Sequence, residues 1–118
     1  MTKTAIIDAK ALERLEEWGG KRLVAQMIDL FLTQTPGRME NLREGLQCGD
    51  AEVVERAAHS LKSTAANLGA VELQEIAARI ERTAGEKDLH AVREDVAAIE
   101  SEVARARDAL SIMEGSAL

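Results

Sequence analysis

The residues of this chain with the most chemical reach lie in one stretch, AAHSLKSTAANLGA, from Ala57 to Ala70. His59 stands there among small side chains, with Lys62 three positions on. On an α-helix, residues three apart are surface neighbours. The apolar positions Val54, Ala58, Leu61, Ala65 and Leu68 fall on one side of such a helix. At about 100° per residue, His59 then points roughly 140° away from that side. Its ring is expected in solvent, beside Glu52, Glu55, Ser63 and Ala66. Lys62 is expected nearer the boundary, its stem along apolar surface.

The pattern excludes several chemistries. No second His or Cys stands at a ligand spacing from His59, and Glu55 alone is a weak companion, so no metal site is expected. No G-x-S-x-G elbow is present for acyl transfer. Walker and Gly-rich nucleotide loops are absent as well, and no cofactor is expected. An exposed imidazole can still act on a group that another protein brings. Neutral imidazole is a nucleophile toward phosphorus. A neighbouring ammonium, Lys62, can balance phosphoryl charge. Phosphoryl transfer needs mainly positioning and electrostatics, so a sparse site suffices when the partner carries Mg²⁺ and the acyl phosphate. Taken by geometry alone, a lone exposed histidine is more often an ordinary surface residue.

The bulk composition narrows the class. The 118 residues carry a formal charge of −6 and only 2% aromatic side chains. A nucleic-acid partner needs a basic footprint and stacking surfaces, and this chain offers neither. The acidic balance also disfavours anionic membranes. No window is apolar for long enough to span a bilayer or to serve as a signal peptide, so a cytoplasmic location is expected. Cys48 is the single cysteine, which rules out an internal disulfide. His90 and Cys48 read as ordinary surface or helix-end residues.

Helix formers dominate, and no strand-like run appears. One domain over residues 1–118 is expected, all-α, with four main helices and a short leading one. Asp8 caps the leading helix, Leu12 and Leu15 face inward, and Gly19 and Gly20 stop it. The next helix begins near Lys21, with Leu23, Met27, Leu30 and Phe31 on one face. Pro36 is expected to bend it, in preference to a new helix capped by Thr35. Gly49 ends it and Asp50 caps the helix that carries His59, which Gly69 ends or bends. Val71–Ala84 forms a shorter helix with Leu73, Ile76, Ala77 and Ile80 inward, stopped by Gly85. Asp88 caps the last helix. Its apolar residues Leu89, Val92, Val96, Ile99, Val103, Ala106 and Leu110 alternate spacings of three and four, as in an antiparallel bundle seam or a coiled coil. The bundle is expected, because the other amphipathic helices need a partner.

HSLKSTAANLGA resembles the signature of histidine-containing phosphotransfer (HPt) domains, of the type H-x-L-K-[G/S]-x-x-x-x-[L/V]-G-A. FLTQTPGRMENLREGLQCGDAEVVERAAHSLKS and LGAVELQEIAARIE are similar to the segments around that signature, so nearly the whole chain follows the family's layout. The resemblance implies an antiparallel four-helix bundle with a short N-terminal helix. It implies a phosphorelay carrier in two-component signalling. His59 would take a phosphoryl group on Nε2 from a receiver-domain aspartyl phosphate and pass it to another receiver, without ATP hydrolysis. Partners would be receiver domains of response regulators or of a hybrid histidine kinase. Lys62 would steady the phosphoryl group. Ser63 stands where many members have glycine and is still small. Gly69 and Ala70 match a turn that lets two helices pack closely. Glu81 falls where some members have glutamine; a carboxylate there orients a protonated imidazole and repels phosphate, and its role stays open. Docking is expected around His59, with Glu55, Val53 and Ala66 in the surface, and a monomer is expected. The competing expectation is a non-catalytic helical module that docks receivers or self-associates through the final helix.

Overall fold

A computed structural model describes residues 6–116. Among these the chain forms four helices and no strand. The first, α1, runs Ala9–Cys48, and Asp8 caps it by accepting from the Lys10 amide at 3.0 Å. Its one non-helical residue is Gly20, at φ 71° and ψ −173°. The expected stop of a short leading helix is therefore a break inside α1. A side chain rarely tolerates that positive φ, and glycine does. The helix continues through Pro36 with helical backbone angles. Thr35, 1% exposed, is buried in it rather than capping a new helix.

Gly49 closes α1 in the left-handed region, its amide donating to Gly45 and Leu46 carbonyls. Asp50 caps α2, Ala51–Leu68, by accepting from the Val53 amide at 3.3 Å. The inward face of α2 is the expected one: Val54, Ala58, Leu61, Ala65 and Leu68 are all buried. Gly69 ends α2 at φ 74°. Its carbonyl accepts from the Asp8 amide at 2.7 Å, which ties the start of the leading segment to this turn. A Cβ on Gly69 would lie 2.6 Å from the Asp8 carbonyl oxygen, so only glycine fits.

Ala70 is buried at the turn, and α3 follows as Val71–Gly85. Leu73, Ala77, Ile80 and Ala84 face the core, while Ile76 is half-buried. Asp88 accepts from the Ala91 amide at 3.1 Å at the start of α4, Leu89–Ser116. Each helix packs on two neighbours: α1 and α3 both lie against α2 and α4. Short turns make the neighbours antiparallel.

The α4 seam is spent inside this bundle. Val92, Ile99, Val103, Ala106 and Leu110 are buried, and Leu89 and Val96 are half-buried against the same core. Polar contacts fix its placement. Arg79 on α3 forks onto Asp95 at 2.9 and 2.7 Å, and Arg93 donates to the Leu46 carbonyl at 2.8 Å. Leu30 departs from its expected inward position and is 45% exposed. Phe31 takes the core direction, and one residue earlier on a helix points about 100° away from it. No helix of the described residues is long and apolar enough to cross a membrane.

Candidate functional site

The inward face of α2 determines where its chemistry goes. With Val54, Ala58 and Leu61 buried, the His59 side chain emerges on the opposite side, 59% exposed. Lys62 emerges nearer the edge, 33% exposed, at the boundary expected for a snorkelling stem. Both then meet a residue of α3. Glu81 Oε2 lies 2.7 Å from His59 Nδ1, and Glu81 Oε1 lies 2.6 Å from Lys62 Nζ. One carboxylate thus bridges the imidazole and the ammonium. The sequence motif alone leaves His59 without a local partner, and the packing of α3 on α2 supplies one.

The electrostatics of Glu81 set the proton on the ring. The hydrogen bond from Lys62, then that from His59, hold its carboxyl below the ordinary carboxylate value, against the opposing effect of burial. An ionised carboxylate can only accept. The short contact therefore requires Nδ1 to carry the hydrogen. Whenever the ring is neutral, its lone pair is on Nε2.

The surroundings are open. His59, Glu81, Glu52, Glu55 and Arg56 line a shallow cleft of about 240 Å³. Ser63 is exposed and Ala66 half-buried one and two turns on, so neither obstructs the ring from its own helix. Glu55 lies on the rim and leans toward α3, its Oε2 3.0 Å from where a Cβ on Gly85 would sit. Val53 is turned the other way. Its Cγ1 is 3.1 Å from where a Cβ on Gly45 would sit, so it packs on α1. A larger recess of about 560 Å³ at the α1–α2 turn shares Glu52 and Glu55 with the cleft but does not reach His59. Gly69 and Ala70 form the turn joining α2 to α3, as expected.

A family model of the Hpt domain matches residues 26–109. The chain belongs to the Hpt family. The structure of histidine-containing phosphotransfer protein B (HptB) from Pseudomonas aeruginosa PAO1 superposes with a TM-score of 0.89 at 25% identity, over 97% of this chain and 98% of that one. No curated protein matches. The fold and family make this Hpt domain a histidine phosphotransfer carrier of two-component phosphorelays, with receiver domains as its kind of partner.

Two features of this Hpt domain lie outside the motif. The first is the Glu81 bridge to Lys62, which depends on the register between two helices. The second is Arg56, exposed one turn before His59 and lining the same cleft. Its sequence signal is the three-residue spacing that also relates Lys62 to His59. His90, by contrast, is an exposed residue of α4, its Nε2 4.0 Å from Glu94.

Proposed function

We propose that His59 is the phosphoacceptor of this Hpt domain and that its Nε2 is the reacting atom. The observation that carries the reading is the 2.7 Å contact of Nδ1 with an ionised carboxylate, on a side chain that is 59% exposed. The Nε2 lone pair attacks phosphorus of a receiver aspartyl phosphate. The N–P bond forms as the acyl P–O bond breaks, and the aspartate leaves as a carboxylate. Nδ1 keeps its hydrogen, so no proton has to leave during the step. The ring gains a positive charge, which Glu81 faces directly. The reverse step returns a neutral imidazole as leaving group, which suits a carrier that receives and donates.

Lys62 balances phosphoryl charge in this reading, and Glu81 holds its ammonium next to the ring. Ser63 and Ala66 keep the approach clear for the receiver, and Glu55 sits on the docking rim. Mg²⁺ comes with the receiver, where it neutralises the acyl phosphate. The described helices work as one unit and as a monomer, since the α4 seam is buried within the bundle. The receivers belong to response regulators or a hybrid kinase, and the reaction takes place in the cytoplasm.

The test uses a radiolabelled phosphoreceiver as donor. Acid-labile, alkali-stable label is expected on the wild-type chain and none on His59→Gln. Label that persisted on the variant would assign the acceptor elsewhere.

A further inference from the structure

The cleft around His59 poses an electrostatic problem. Glu52, Glu55 and Glu81 line it, so a phosphoryl dianion on the ring would face three carboxylates. Lys62, the cation expected to offset them, has its ammonium 2.6 Å from Glu81 Oε1. Its charge is shared with that carboxylate. Among the described residues the cleft has one further cation, Arg56. Arg56 is exposed, and no described carboxylate lies within ion-pair distance of its guanidinium. It stands three residues before His59 on α2, a spacing of about 5–6 Å between Cβ atoms.

We propose that Arg56 is the second phosphoryl-binding cation of this site, closing onto the phosphoryl oxygens from the side of the ring opposite Lys62 along α2. The inference rests on His59 being the acceptor and adds a residue that the phosphotransfer motif does not contain. A guanidinium suits this task better than a second lysine would. Its planar fork offers two parallel donors to two phosphoryl oxygens, and its charge is permanent. None of the three carboxylates pairs with it in the resting state, so it is free to turn when a dianion arrives. The dianion carries more charge than any one carboxylate and sits closer to the ring. Arg56 therefore favours the phosphorylated state over the free state, with Lys62 remaining shared with Glu81.

The test compares wild type, Arg56→Gln and Arg56→Lys after phosphorylation by a receiver that is then removed. The lifetime of the isolated phosphoprotein separates phosphoryl contact from receiver docking, because no receiver is present. Arg56→Gln is expected to shorten that lifetime about three- to fivefold, the size of a partly exposed charge-assisted contact. The phosphorylated fraction at equilibrium with the receiver should fall by a similar factor. Arg56→Lys should lie between the two. A lifetime unchanged or lengthened in Arg56→Gln overturns the proposal. If the KM for the receiver alone rises, Arg56 is a docking contact, which also overturns it. The underlying reading fails by a different sign: an unlabelled wild type, or label retained on His59→Gln.

Discussion

The two histidines of this Hpt domain make a natural experiment. Both sit on helices, both are exposed, and each has a carboxylate within ion-pair distance. At His90 that neighbour is Glu94, four residues on in the same helix, 4.0 Å away, with side chains 88% and 72% exposed. At His59 it is Glu81, from another helix, 2.7 Å away and only 22% exposed. A pair along one exposed helix face is two flexible side chains in water, worth a few tenths of a kcal/mol. A pair across a packed helix interface has one partner already immobilised, and the ring is held in one orientation and one tautomer. What distinguishes the proposed acceptor imidazole from the surface one is the element opposite it.

The sharpest way to break that comparison is to remove each ring. His59→Gln should abolish phosphohistidine formation, whereas His90→Gln should retain the wild-type rate with the same receiver. Equal losses in the two variants would show that the interhelical partner confers nothing.

The next largest effect strikes the packing that brings Glu81 to His59. Gly69→Ala puts a Cβ at a left-handed φ and against the Asp8 carbonyl. A loss of about 2–4 kcal/mol in unfolding stability is expected. Urea denaturation measures it, and a change below about 0.5 kcal/mol would mean that the turn relaxes freely.

The cation comes third. Lys62→Met should slow phosphotransfer about tenfold while leaving His59 labelled, since the acceptor and its tautomer remain. An unchanged rate would move the whole electrostatic role to Arg56.

The smallest effect concerns acid stability. The carboxyl of Glu81 is held below its ordinary value of 4.5, mainly by Lys62. A folded-state pKa below the unfolded one adds stability above the unfolded value. That stability is lost as pH falls through the depressed folded value. Glu81→Gln should remove this component, of the order of 1 kcal/mol or less, and flatten the fall in stability below about pH 4.5. Glu94→Gln, at the exposed pair, should leave the urea midpoint at pH 7 unchanged. Urea titrations of the variants at pH 7 and pH 3 check both statements.

Much of this difference was legible in the sequence, and its limit has a physical cause. The periodicity of Val54, Ala58, Leu61, Ala65 and Leu68 placed His59 in solvent, because a helix has a fixed angle per residue. Asp50, Gly69 and Asp88 marked helix ends because capping is a local interaction. Glu81 could be named from the family pattern, but its hold on Lys62 could not be read. That contact depends on the register of α3 against α2, which only packing sets. Leu30 and Val53 show the same limit from the other side. Both are apolar residues at the flank of a helix wheel, where one neighbour decides exposure. Gly45 lets α1 come close enough to cover Val53, and nothing covers Leu30 to the same degree.

His59 and Glu81 are each eleven residues from Ala70, one behind it and one ahead. The hairpin of α2 and α3 is therefore folded about its own midpoint, and the turn acts as the zero mark of a ruler. One residue added or deleted beside Gly69 would bring Ile80 or Arg82 opposite the imidazole instead. A neutral aliphatic or a cation would then take the place of the acceptor, with every residue type in the site intact. In this domain the count of residues between the two side chains is as much a part of the proposed acceptor site as the side chains themselves.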